Sequence, residues 1–143
     1  MKPQELQLGD IVQVGECGRF KDYIAKVIAI SSDSNHVGLL GTRAFEDYEE
    51  DVLGIPISPE WLKMFGFKVT YDGVNVISLE WRNDGPPVPQ DIKVSMFKDG
   101  EDARFEITYH SCEKIARVNS NFKYLHELQH ACRLCGIEIN WKL

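Results

Sequence analysis

The 143-residue chain is 43% hydrophobic and 27% charged with 11 Gly and 6 Pro, a composition that is neither low-complexity nor disordered and that suits a domain burying roughly 68% of its unfolded surface. One domain spanning residues 1–143 is expected. Sixteen Lys and Arg against 22 Asp and Glu give a net charge of −6, which excludes a protein that coats nucleic acid or anionic lipid through its overall charge.

Residues 1–10 lack the basic and apolar regions of a secretory leader, and no apolar run approaches the roughly 18 residues of a membrane span. A cytoplasmic protein with no membrane contact is expected. The four cysteines, Cys17, Cys112, Cys132 and Cys135, are expected to be free thiols, because a chain of this size builds a core without staples.

The first third reads as β structure, with strands over residues 10–14, 22–30 and 36–40 separated by turns at 15–18 and 31–35. Residues 42–51 follow. In them Glu46, Asp47, Glu49, Glu50 and Asp51 against Arg43 contribute −4 of the chain's −6, the pattern of a solvated acidic loop. Residues 54–67 give the clearest helix signal: Ser58 as N-cap, Pro59 at the first helical position, Glu60 at the positive end and Gly66 as the left-handed stop. Trp61, Leu62 and Phe65 are its expected anchors. Next come strands over 67–71 and 74–81 about an Asp72-Gly73 turn, a stiff proline segment at 86–89, and a hairpin of strands 92–97 and 103–110 about Asp99-Gly100.

A C-terminal helix is expected over residues 121–135, capped by Asn119 or Ser120 and closed by Gly136. It contains His126-Glu127-Leu128-Gln129-His130, a literal H-E-x-x-H, just before Cys132-x-x-Cys135. Histidines four apart on a helix project together and can share a zinc ion, with the intervening glutamate as base for a metal-bound water. Zinc with His126 and His130 as ligands and Glu127 as the catalytic group is therefore the alternative reading. Three considerations weigh against it. A third ligand has to come from Glu138 or from His110. Helical spacing places Tyr124, Leu125, Leu128, Ala131, Cys132 and Cys135 on one apolar stripe, and Lys123, His126, Glu127, His130 and Arg133 opposite it, facing solvent or a partner. The cysteines, in the core stripe at the negative end of the helix, are held as thiols.

The segments 5–12 (ELQLGDIV), 54–67 (GIPISPEWLKMFGF), 124–129 (YLHELQ) and 134–139 (LCGIEI) resemble those of a family of short uncharacterised proteins from phages and prophages of gut Bacteroidota. That family commonly carries Gln in place of Glu127 and Asn in place of His130, so the resemblance implies no zinc. It implies a small accessory protein in the cytoplasm of a bacterial host cell. No activity comes with the resemblance; the expectation for such a protein is action by binding, as an antagonist of a host defence protein or a sink for its nucleotide signal, with a homo-oligomer compatible with that role.

The fold expected is α+β, with antiparallel sheet from the N-terminal meander and the later hairpins, one short central helix and one C-terminal helix. For an anionic nucleotide the candidate cations are Arg19 and Lys21 on the Gly18 turn, and Arg104, Lys114 and Arg117, with Phe20 and Tyr109 as aromatic neighbours able to stack a base. No catalytic residue is assigned in this reading.

Overall fold

The computed structural model describes residues 5–14, 23–31, 37–41, 46–48, 52–83, 90–99, 103–109 and 120–142. They form ten strands and two helices in two antiparallel sheets, the α+β class expected from the sequence. The chain divides into two compact units, Met1–Ile55 with Tyr124–His130, and Pro56–Lys123 with Ala131–Leu143.

The sheet of the first unit contains β1 (Ile11–Val14), β2 (Tyr23–Ile30), β3 (Val37–Gly41), β4 (Glu46–Tyr48) and β5 (Val52–Gly54), in the order β4-β3-β2-β1-β5. Alternation sends Val12, Val14, Ala25, Val27, Val37, Leu39 and Val52 to one face, where they form a core cluster with Leu6. Register is kept by cross-strand pairs such as Val12–Ala25 and Val14–Val52. Gln13, Ile24, Lys26, Leu40 and Leu53 occupy the other face, with Gln13 opposite both Ile24 and Leu53 and Lys26 opposite Leu40. One strand, β4, lies inside the acidic run where the sequence suggested loop, and β5 follows just after it, where no strand was expected. Pairing with an already formed edge overrides the local preference of Glu46-Asp47-Tyr48, since strand propensity is largely a measure of fit to neighbours.

In the second unit β6 (Lys68–Asp72), β7 (Val76–Asn83), β8 (Gln90–Phe97), β9 (Ala103–Tyr109) and β10 (Ser120–Phe122) follow the order β10-β9-β8-β7-β6. Leu79, Ile92, Val94, Met96 and Ala103 bury one face. The other is mixed: Ser78 and Ser95 share a hydrogen bond of 2.8 Å, Lys68, Glu80 and Lys93 lie side by side in register, and Val76 pairs with Phe97 at one end. The β6–β7 turn is centred on Val74-Asn75, two residues later than the Asp72-Gly73 signal, with the Gly73 N–H donating to the Val76 carbonyl at 2.9 Å. At the exposed β6 edge, a bulge at Thr70 and the terminal charges of Lys68 and Asp72 discourage strand addition.

Helix α1 (Pro59–Met64) forms as its sequence dictates: extended Ser58 caps it, its hydroxyl accepting from the Trp61 N–H at 3.4 Å. Leu62 and Phe65 are buried, and Trp61 is half-buried, stacked on Phe65 with ring centroids 6.1 Å apart. Helix α2 (Leu125–Leu134) starts four residues later than expected, because residues 120–122 pair with β9. Ser120, expected as a cap, lies in β10 instead, and Asn119 lies outside the described residues. Both helices end alike. Gly66 at φ 91° and Gly136 at φ 67° take the left-handed position. The Phe67 and Ile137 amides reach back to the Leu62 and Cys132 carbonyls, while those of Gly66 and Gly136 reach Lys63 and Arg133.

Candidate functional site

The H-E-x-x-H segment occupies the first half of α2, within the first unit. Its glutamate closes the helix start. The Glu127 carboxylate accepts the Tyr124 N–H at 2.9 Å while the Glu127 N–H donates to the Tyr124 carbonyl at 3.2 Å. A glutamate three positions past the cap reaching back to the cap amide is half of a capping box. The next free amide, that of Leu125, donates to the Ile55 carbonyl at 2.8 Å.

The histidines are not on a solvent face, which corrects the helical-wheel expectation. His126 is only 5% exposed, and His130 is half-buried with its Nε2 2.7 Å from Oδ2 of Asp10. The wheel assumed one covered stripe. Here the segment ahead of β1 supplies a second partner, and Asp10, fully buried, is its anchor. The same Asp10 oxygen accepts the Gln7 N–H at 2.7 Å, and the Asp10 carbonyl accepts the Val27 N–H at 2.9 Å. A buried carboxylate is tolerated only when it is paired and hydrogen-bonded in this way.

Gln129, 0% exposed, completes the cluster. Its Oε1 accepts the Ile11 N–H at 2.9 Å and its Nε2 donates to the Gly9 carbonyl at 3.1 Å. One side-chain amide thus satisfies a donor and an acceptor at the entry to β1, groups that would otherwise be orphaned in the interior. Neither Asp10 nor Gln129 was identified from sequence. For Gln129 the signal is weak: at 100° per residue it lies about 40° beyond Leu125, the edge of the apolar stripe, and as close to Arg133 as to Leu125.

His126 stacks on Tyr124, with centroids 5.7 Å apart, and meets His130 edge-on at 5.6 Å. Its Nδ1 is buried without a hydrogen-bond partner. Burial pushes this imidazole below its usual pKa; Asp10, Glu127 and Glu5 pull the other way, and His130 adds to the lowering.

Among the described residues no group of three or more His, Cys, Asp or Glu side chains is placed to hold a metal ion. With its Nε2 held by Asp10, His130 has only Nδ1 to offer a zinc unless that contact opens. In the second unit Cys132 is a buried free thiol whose pKa burial pushes up to about 12, and Cys135 is a half-exposed free thiol. Exposed Glu138 is there too, whereas His110 lies outside the described residues.

Of the candidate nucleotide-binding cations, Arg104 lies in β9, exposed, its guanidinium 6.0 Å above the centre of the Phe97 ring. Arg19, Lys21, Lys114 and Arg117 lie outside the described residues, as does Phe20. No helix among the described residues is long and apolar enough to cross a membrane. No family model matches the chain, and comparison with curated proteins and with solved structures likewise found no match.

Proposed function

We propose that this protein acts by binding a protein partner rather than by turning over a substrate. The observation that carries the reading is the use made of the H-E-x-x-H side chains: Glu127 caps its own helix and His130 holds a buried carboxylate. A general base must be within reach of a water or substrate proton, and these groups are engaged in holding the first unit together. The partner is argued from the outer face of the first sheet, where Leu40 on β3 and Leu53 on β5 are 51% and 48% exposed, with half-buried Ile24, Lys26 and Gln13 on the strands between them. Exposed apolar side chains on one sheet face favour a protein surface over a small anion.

The cellular setting rests on the phage-family resemblance alone: an accessory protein in the bacterial cytoplasm that antagonises a host defence protein. Sequestration of a nucleotide signal through Arg104 stacked on Phe97 is the second reading, and self-association a third.

The test is capture of a host protein by the purified chain, compared with a Leu40→Asp/Leu53→Asp double variant, beside titration with cyclic nucleotides and cyclic ADP-ribose isomers. Capture lost in the double variant with folding retained supports the proposal. Nucleotide binding without capture moves the assignment to the second reading. Turnover of a substrate that is abolished by Glu127→Gln contradicts it outright.

A further inference from the structure

We propose that His126 and His130, together with Asp10, form an acid-sensitive latch that holds the first half of α2 against residues 5–11. Two imidazoles meet edge-on at 5.6 Å, and the hydrogen-bonded carboxylate of Asp10 serves only one of them, through His130 Nε2 at 2.7 Å. The other ring, His126, is 5% exposed and its Nδ1 has no acceptor. Charge placed on His126 would therefore put an N–H with no acceptor at a buried Nδ1. The charged groups that act on it are Asp10 and Glu5 from the N-terminal segment and Glu127 and His130 from its own helix. Asp10 and Glu127 are each already committed to the contacts described above.

The direction follows from which state holds the proton. Above pH 6.5 the ring is neutral folded or unfolded and contributes nothing to the pH dependence. Below 6.5 the opened chain takes up a proton that the closed latch resists, so the closed state is progressively disfavoured down to the lowered folded value. Opening breaks the Gln129 bonds to Ile11 and Gly9 along with the His130–Asp10 contact, so that β1 loses its anchor on the helix.

The experiment is amide hydrogen exchange on the full chain between pH 7.5 and 5.5, read at Ile11 and Val27 as protection factors corrected for the intrinsic pH dependence. Protection at Ile11 is expected to fall by up to about tenfold between pH 7.5 and 5.5 in the natural protein, and to stay nearly constant in His126→Phe, which keeps an aromatic ring against Tyr124. Equal losses in both proteins would overturn the proposal. An NMR titration of the His126 ring in the unaltered chain tests the same point if the variant does not fold: a midpoint below 6.5 supports the latch, and one at or above 6.5 refutes it.

Discussion

Replacing Gln129 by Met tests the anchoring cluster most sharply, because the two side chains have similar length and volume and differ in hydrogen-bonding ability. The substitution leaves the Ile11 N–H and the Gly9 carbonyl without the partners they now hold at 2.9 and 3.1 Å. A buried polar group stripped of its partner costs about 1–3 kcal/mol, so two cost about 2–6 kcal/mol. Removing a primary amide from a fully buried site recovers part of its desolvation, and we expect a net loss of about 2–4 kcal/mol. All three tryptophans, Trp61, Trp81 and Trp141, belong to the second unit, so fluorescence is the wrong probe. Hydrogen exchange at the Ile11 and Val27 amides reads the first unit directly, and 2 kcal/mol corresponds there to about a thirtyfold loss of protection. A change under about 0.5 kcal/mol, the size of an ordinary surface substitution, would refute the assignment of Gln129 as an anchor.

Four further substitutions, at three positions, address the helix ends. Glu127→Gln should leave stability within about 0.5 kcal/mol, since Gln keeps an acceptor for the Tyr124 N–H, whereas Glu127→Ala should cost about 1 kcal/mol by denaturant titration followed by far-ultraviolet circular dichroism. Equal costs for both would remove the capping role. Gly66→Ala and Gly136→Ala should each cost about 1–2 kcal/mol despite different surroundings, because a Cβ at Gly66 meets nothing nearer than Trp81 Cδ1 at 3.7 Å and one at Gly136 meets nothing within 4 Å. Tryptophan fluorescence during unfolding checks this, and near-neutral substitution at either position would contradict the left-handed geometry of that helix end.

The parts of this fold that were legible in the sequence are those specified locally. Ser58, Pro59 and Gly66 define α1 within a few residues, Gly136 ends α2, and the alternation of Ile77, Leu79 and Trp81 marks the inner face of β7. The short edge strands were hidden because Tyr48 and Phe122 are the sole strand-favouring residues in Glu46-Asp47-Tyr48 and Ser120-Asn121-Phe122, too few to mark a strand until β3 or β9 offers a pairing edge. The apolar stripe of α2 was readable, and Leu125, Leu128, Ala131 and Cys132 are buried as spaced. The burial of His126 was not, because it depends on a segment about 120 residues away in sequence coming to lie against the same helix through Asp10. A motif read from spacing specifies which side chains share a helix face and leaves open what that face meets.

The central claim is that the H-E-x-x-H segment is an internal fastening, and zinc titration followed on the His126 and His130 ring resonances and on the Ile11 amide tests it most directly. The account predicts no saturable one-to-one zinc binding and an Ile11 amide that stays protected throughout, with the His130–Asp10 contact intact. Stoichiometric zinc that shifts both imidazoles together, recruits a third protein ligand and breaks the His130–Asp10 hydrogen bond would contradict it.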